Sequence, residues 1–147
     1  MALKIRAYDE IEWVNIWDQD ISETWVINYF KEYNDSWPNV REEARPVPKE
    51  GKTLSKFTLK SLTKEQVAKV DRMEDKFSRM REICAYGCTN WTGLFDENGN
   101  EWKPKKTKDN LGERLTEESL DFLGFFGFID LPILNIVSVK VLSLTRS

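Results

Sequence analysis

The stretch KFTLKSLTKEQVAKV, residues 56–70, decides the fold, because a strand pattern gives way there to a helix pattern within a few residues. Phe57 and Leu59 alternate with polar residues, which predicts a short half-buried strand. Thr63 and Gln66 then form a capping box, in which each side chain bonds the other residue's backbone N–H. The sequence therefore predicts a strand that leads directly into a capped helix.

Downstream of the cap, apolar residues recur every three or four positions, which predicts one long amphipathic helix. Gly87 is well placed to end this helix. Two cysteines lie at its end, and each is expected to behave as a small hydrophobic residue at the edge of the core. Two thiols cannot complete a tetrahedral zinc site, so no metal is expected. The apolar stripe consists of Val67, Val70, Met73, Phe77, Met80 and Cys84.

The next stretch, CTNWTGLFDENGNEWKPK at residues 88–105, resembles a metal loop because acidic and amide side chains surround a glycine. A calcium loop of the EF-hand kind needs glycine at its sixth position, whereas Gly99 is fourth when counted from Asp96. Asn98-Gly99 is instead a strong signal for a two-residue hairpin turn. We therefore predict a β-hairpin with two facing pairs, Phe95 with Trp102 and Asp96 with Glu101.

Two further segments follow the predicted hairpin. KPKKTKDN, residues 103–110, carries four lysines that could contact nucleic acid or an acidic partner surface. The acidic balance of the whole chain favours a solvated linker instead. LTEESLDFLG, residues 115–124, predicts a helix that is capped by Thr116 and ended by Gly124.

The C-terminal part of the chain is the most apolar. Pro132 suits the first turn of a helix, and a helix over 133–145 would align Ile133 with Val137. The run VSVKV also alternates like a strand and is rich in β-branched residues, so the sequence leaves helix and strand open, with helix favoured. Three phenylalanines precede this segment, and they either fill the core or form a patch for self-association. They are Phe125, Phe126 and Phe128.

The N-terminal part, residues 1–36, is rich in aromatic residues. The spacing in IEWVNIW, residues 11–17, predicts a short helix. In SETWVINYFKEY, residues 22–33, Ser22 is a good N-cap, and Trp25, Tyr29 and Tyr33 share one face of a second helix. We expect these aromatic residues to lie in a core, since large aromatic side chains are mostly buried.

The segment 37–55, WPNVREEARPVPKEGKTLS, contains three prolines and many charges and has no apolar period. It is predicted to be an exposed connecting loop, and its length is unusual for a small domain. The remaining part, residues 56–147, would hold the strand, the long helix, the hairpin and the C-terminal helices.

Composition sets the class of protein. The chain has 147 residues, 40% hydrophobic and 32% charged, which fits one compact domain. The order of predicted elements gives an α+β fold, mostly helical, with about four helices, a short strand and one β-hairpin.

No histidine is present, which excludes Ser-His-Asp and Cys-His catalysis. The net charge of −3 argues against a dedicated nucleic-acid-binding domain. The N-terminus lacks the apolar region of a signal peptide, and no stretch is long enough to span a bilayer.

The order of these motifs, over roughly residues 56–146, resembles small proteins encoded among the structural genes of tailed bacteriophages. Such proteins are described as tail assembly chaperones or tail-accessory proteins. The shared features are the strand, the capped charged helix ending in YGCTNW, the DENG turn, LTEESLDFL and the final helix opened by LP. The resemblance implies a mostly helical protein without enzymatic activity or cofactor. It would bind phage tail or neck proteins, with a homo-oligomer as a further expectation.

This resemblance and the composition lead to one main hypothesis and two alternatives. The chain is expected to act in tail assembly or virion structure, in the bacterial host cytoplasm during infection or in the virion. The first alternative is a phage protein that binds a host enzyme or defence protein; the second is a small enzyme that uses an acid pair such as Asp96 with Glu101 or Glu42 with Glu43. The enzyme is disfavoured because no nucleophile–base pair is recognisable. The candidate interface residues are Trp37, Val40, Val47, Phe125, Phe126 and Phe128.

Overall fold

The computed structural model describes residues 10–15, 18–33, 45–96, 98–125, 127–128 and 131–145. Its strands are β1 (Ile11–Trp13), β2 (Lys56–Leu59), β3 (Cys88–Thr92), β4 (Lys106–Asp109), β5 (Gly112–Leu115), β6 (Gly127–Phe128) and β7 (Leu131–Pro132). Its helices are α1 (Glu23–Glu32), α2 (Lys64–Asp71), α3 (Lys76–Gly87), α4 (Glu117–Phe125) and α5 (Ile133–Thr145). The α+β class is confirmed, with five helices in the described residues where about four were predicted.

The strand that was predicted from KFTLKSL is confirmed as β2, and it is the central strand of an antiparallel sheet in the order β1-β2-β3. Phe57 pairs with Trp13 on one side and with Trp91 on the other, so three aromatic residues align across the sheet. The helix predicted for residues 11–17 is wrong over 11–15, because Ile11–Trp13 forms β1 and residues 14 and 15 belong to no helix or strand, and residues 16 and 17 lie outside the described residues. Pairing with β2 outweighs the helical spacing there, since strand formation depends mainly on cross-strand partners.

The capping box of Thr63 and Gln66 is confirmed at the start of α2. The single long helix is wrong, because α2 ends at Asp71 and α3 begins at Lys76. Asp75 caps the second helix by accepting a hydrogen bond from the backbone N–H of Ser78 at 2.8 Å. The chain turns between the two helices, and Phe77 in the predicted buried stripe is 49% exposed.

Helix α5 settles the open question of helix or strand over 133–145 in favour of a helix. It is buried over most of its surface and packs against α3 and α4. Its last residue, Thr145, accepts a hydrogen bond from the backbone N–H of Leu62 at 3.0 Å, which ties the end of α5 to the start of α2. No helix in the described residues is both long and apolar enough to cross a membrane. The buried apolar residues of α5 are Ile133, Leu134, Ile136, Val137 and Val141.

Helix α4 begins where it was predicted, with the Thr116 hydroxyl accepting from the backbone N–H of Ser119 at 3.3 Å. The predicted end at Gly124 is wrong by one residue, because α4 includes Phe125. Pro132 was predicted in the first turn of the last helix but lies in β7, one residue before α5. These differences of one residue do not alter how α4 and α5 pack.

The two cysteines are buried and unbonded to each other, as expected for small hydrophobic residues. The Cys84 thiol donates to the carbonyl oxygen of Leu134 at 3.2 Å, so it also joins α3 to α5. Burial raises the pKa of Cys88 to about 12 and raises the pKa of Cys84 well above its usual range. Both groups therefore remain thiols at neutral pH, the form that reacts slowly.

The turn around Asn98-Gly99 is present, but the predicted facing pairs are wrong. Phe95 pairs with Glu101, and the backbone N–H of Trp102 donates to Leu94 at 2.8 Å. The turn is therefore longer than two residues and runs from Asp96 to Asn100, where Asp96 accepts from the backbone N–H groups of Asn98 and Asn100. Trp102 stacks instead on Phe122 of α4, with ring centroids 4.3 Å apart, and lies 5.9 Å from Trp91.

The predicted linker at 103–110 is also wrong, because Lys106–Asp109 forms β4 and pairs with β5 in a second hairpin. Its turn residues are Asn110 and Leu111, and the Asp109 carboxylate accepts from the Leu111 N–H at 2.7 Å. The strand carries few apolar residues, so the alternation that normally marks a strand is missing.

Replacing Gly99 by alanine should lower the free energy of unfolding by about 1 kcal/mol, the usual cost of placing an L-residue in the left-handed region. Gly99 has φ +80°, and a Cβ added there meets nothing within 4 Å, so backbone strain is the only penalty. Urea unfolding followed by tryptophan fluorescence measures the change. An unchanged midpoint would show that the turn does not hold Gly99 in this conformation.

Candidate functional site

Helix α1 stands apart from the main core. Its cap is Ser22, whose hydroxyl accepts from the backbone N–H of Trp25, as predicted. The helix belongs to a small cluster of its own around Tyr29, while most other buried apolar residues form one large cluster around α3, α5 and the sheet. It therefore contributes little to the central packing.

One face of α1 carries the aromatic residues predicted to share it. The Trp25 and Tyr29 rings stack with centroids 5.1 Å apart, and the Tyr29 and Tyr33 rings lie 5.2 Å apart. Tyr29 is only 5% exposed and Val26 packs beside it. This stacked set holds α1 together along its length, since each aromatic pair adds about 0.5–1.5 kcal/mol beyond area burial.

A second face of α1 is apolar but exposed to solvent. Ile27 is 60% exposed and Phe30 is 42% exposed, although both are large hydrophobic residues. They are three positions apart, so they lie on the same side of the helix. Two large apolar side chains in this spacing match the way an amphipathic helix enters an apolar groove on a partner.

The start of α1 is joined to the proline-rich segment. The backbone N–H of Ser22 donates to Val47 at 2.8 Å, and Ile21 forms a β-bridge with Pro48. Val47 itself is 52% exposed. Ile27, Phe30 and Val47 together are called the α1 surface below, because all three are exposed and apolar and are carried by α1 or bonded to its start.

A charged network lies where the β4–β5 hairpin meets α2 and α3. Its centre is Glu82, which bonds Lys69 at 2.9 Å and Arg114 at 3.1 Å. Arg114 also bonds Glu117 of α4 at 3.0 Å. The hydroxyl of the buried Tyr86 donates to Asp109 at 2.6 Å and accepts from Lys69 at 3.1 Å.

The electrostatics of this network favour a structural role. The hydrogen bond with Glu82 raises the pKa of Lys69, and desolvation raises the pKa of Tyr86, so the amine stays charged and the phenol stays neutral. Each cation faces a carboxylate, and Arg114 and Lys69 both lie 5.4 Å from the centre of the Tyr86 ring. The network thus joins the hairpin to α2 and α3.

Replacing Asp109 by asparagine should destabilise the protein at neutral pH and have less effect in acid. Burial acts to raise the pKa of Asp109, but the hydrogen bonds from Tyr86 and Leu111 and the charges of Lys69 and Arg114 outweigh it and hold the pKa below 3.8. A carboxyl with a depressed folded-state pKa stabilises above its unfolded-state pKa, and that stability is lost as the pH falls through the folded-state value. Urea unfolding of both proteins at pH 7 and at stepwise lower pH measures the gap between their free energies of unfolding. The gap should begin to close near pH 3.8, and a constant gap would contradict this prediction.

The predicted interface residues fall into three groups. Val47 is described and exposed, as that prediction requires. Trp37, Val40 and Phe126 lie outside the described residues. Phe125 ends α4 and Phe128 lies in β6, and the described part includes their backbone but not their side chains.

Ile27 and Phe30 were not among the predicted interface residues. The sequence contained a usable signal, because at 100° per residue neither position aligns with Trp25, Tyr29 and Tyr33. A helix that is apolar outside its packed face either meets a second element or remains exposed, and only the structure distinguishes these outcomes.

In the described residues, no three or more cysteine, aspartate or glutamate side chains are placed to hold a metal ion. In comparisons with known proteins, the chain matches no family model, no curated protein and no solved structure.

Proposed function

We propose that this protein is non-enzymatic and acts by binding another protein through the α1 surface. The observation that carries the proposal is the exposure of Ile27 and Phe30 on a helix whose other apolar face is already packed. Exposed large apolar side chains cost little when single, but a pair in helical register supports a binding role.

The partner of this surface is an apolar groove on another protein. Aromatic and large aliphatic side chains supply most of the binding energy in such interfaces, and here Phe30 is the natural central contact. Among the charged residues of α1, Glu23 and Lys31, one acidic and one basic, lie nearest to it round the helix, which suits a polar rim. The resemblance to small tail-region proteins of tailed bacteriophages supports a role in tail assembly or virion structure, with a tail or neck protein as the partner.

The test is affinity capture of tagged protein from phage-infected cells, with the captured proteins identified by mass spectrometry. Ile27→Glu and Phe30→Glu each place a charge in the proposed contact, and Asn28→Glu is the matched control. Asn28 is an exposed neighbour on the same helix, so its replacement adds the same charge without removing an apolar side chain. Thermal melts of all three variants check the fold. Ile27→Glu and Asn28→Glu should change stability by about 0.5 kcal/mol or less. Phe30→Glu also loses the edge-to-face contact with Tyr29, whose ring centroid lies 5.2 Å away, and should cost about 0.5–1.5 kcal/mol.

The expected result is that wild type and Asn28→Glu capture the same tail or neck protein and that both α1 surface variants lose it. Capture of one host protein, lost in the same two variants, would favour the alternative role as a modulator of that protein. Equal capture by all four proteins would show that the α1 surface is not the contact. Absence of any captured protein with wild type would refute the proposal.

A further inference from the structure

The β4–β5 hairpin has one covered edge and one open edge. β5 packs against α3, and its residue Leu115 is buried. Among the described strands β4 pairs with β5 alone, and Lys106, Thr107 and Lys108 are all exposed. The outer side of β4 is therefore available to a further strand.

The register shows which backbone groups face outward. Asp109 pairs with Gly112 across the two-residue turn, and hydrogen-bonded pairs alternate with non-bonded pairs along an antiparallel ladder. The backbone N–H of Thr116 donates to Lys105 at 3.0 Å, which fits the same alternation. Lys106 and Lys108 are thus the residues whose N–H and C=O groups point away from β5.

The side chains along this edge are basic. Lys106 forms one exposed ion pair with Glu113 at 3.4 Å, a contact that costs little to exchange. Within the described residues no carboxylate lies within ion-pair distance of Lys108 or of Lys103 just upstream. An incoming strand would therefore meet backbone donors and acceptors together with two lysines: Lys108, which has no ion-pair partner among the described residues, and Lys106, whose exposed pair with Glu113 can be exchanged.

We propose that the open edge of β4 binds an extended acidic segment of a partner protein by strand addition. Backbone hydrogen bonds to Lys106 and Lys108 supply the pairing, as in other cases where a peptide extends a sheet. Carboxylates at alternate positions of the segment would pair with the lysines, since residues two apart in a strand lie on the same side. This site is separate from the α1 surface and does not depend on it.

Two other occupants fit less well. Edge lysines commonly prevent a strand from pairing with copies of itself, and two β4 edges would repel each other, which disfavours a second copy of this chain. A nucleic acid would need a basic excess, but the hairpin region 103–118 is nearly balanced and the chain carries −3 overall. The basic residues of this region are Lys103, Lys105, Lys106, Lys108 and Arg114, and the acidic ones are Asp109, Glu113, Glu117 and Glu118.

The experiment measures fluorescence anisotropy of a labelled peptide in which glutamate alternates with threonine, titrated with the full-length protein. Two matched peptides separate charge from pairing. In one, lysine replaces glutamate. In the other, alternate backbone nitrogens are methylated, which keeps the charge but removes the N–H groups needed for a ladder. A labelled oligothymidine tests nucleic acid as the ligand.

Three variants locate the site on the protein. Lys106→Pro removes an outward N–H without removing a hydrogen bond to β5, because edge strands tolerate proline where the N–H faces solvent. Lys108→Glu reverses one charge on the same edge. Lys64→Glu makes the same charge change at an exposed position in the first turn of α2 and is the control.

We expect the acidic peptide to bind and the methylated and lysine peptides not to bind. Lys106→Pro should abolish binding, and Lys108→Glu should raise the Kd about tenfold or more, as when an attractive charge contact becomes repulsive. Lys64→Glu and the α1 variant Ile27→Glu should bind like wild type, which separates this site from the α1 surface. No binding by wild type, equal binding of the methylated peptide or tighter binding of oligothymidine would each overturn the proposal.

Discussion

Replacing Gly87 by alanine should destabilise the protein by about 3 kcal/mol, at the upper end of the usual cost of overpacking a core. Gly87 is the last residue of α3, and a Cβ added there would lie 2.3 Å from Val141 Cγ1 and 2.8 Å from Val141 Cγ2 of α5. Both helices are buried at this point, so neither side chain nor backbone can move into free space. Urea unfolding followed by circular dichroism gives the free energy.

A matched control and a rescue variant make this prediction specific. Gly124→Ala is the control, because Gly124 is also helical but an added Cβ meets its neighbours only at 3.9 Å and 4.0 Å. Without a clash, alanine should be neutral or stabilise by about 0.5–1 kcal/mol. Val141→Ala removes both clashing methyl groups, so the double variant with Gly87→Ala should be more stable than the sum of the two single effects predicts. Simple additivity would refute the close approach of α3 and α5.

Replacing Glu82 by glutamine should cost about 3 kcal/mol, at the lower end for breaking a buried ion pair, because Arg114 keeps Glu117 and the more distant Asp109 as partners when Glu82 loses its charge. Glu82 is 9% exposed and serves two cations, Lys69 and Arg114. The Arg114 side chain is itself 11% exposed, so water cannot replace the lost carboxylate there, whereas the Lys69 side chain is 39% exposed and can be hydrated. Equilibrium unfolding at pH 7 measures the loss.

Glu118→Gln is the comparison for this second prediction. Glu118 pairs with Lys105 at 3.2 Å, but both side chains are 61% exposed. Exposed pairs of this kind contribute less than about 1 kcal/mol. Equal losses in the two variants would mean that the Glu82 network is open to solvent, contrary to the structure.

Local signals predicted the elements that depend on local chemistry. Thr63 with Gln66, Ser22 and Thr116 each cap a helix where the sequence indicated. β2 was indicated by its alternation, and the sequence favoured a helix over 133–145 while leaving a strand open. The three caps need only neighbouring residues to form, so the sequence alone could specify them.

The errors arose where distant contacts decide the structure. The apolar period runs through Met73 and Phe77 without a break, so the chain turn before Asp75 could not be read from periodicity. Trp102 was assigned to Phe95 by turn geometry, yet its ring stacks on Phe122 twenty residues later. β4 is held by pairing with β5 and has no apolar pattern to indicate it.

The α1 surface was missed for a related reason. The sequence identified the packed face of α1 correctly, but whether a second apolar face is covered depends on what lies opposite it. Of the six interface residues predicted from composition, only Val47 has a described side chain. The charged network around Glu82 joins α2, α3, the β4–β5 hairpin and α4. No spacing in the sequence indicates that these four segments meet.

The position of α5 in the core has a consequence for synthesis of the chain. Cys84 of α3 meets Leu134 of α5 across fifty residues of sequence, and Leu62 meets Thr145 across eighty-three. While a ribosome is still translating the region before α5, α3 has been made but lacks the helix that covers it. Closing such distant contacts is slow compared with forming local helices. The nascent protein therefore passes through a stage in which the apolar side of α3 is open to chaperones and to other nascent chains, and that stage ends only when α5 leaves the exit tunnel.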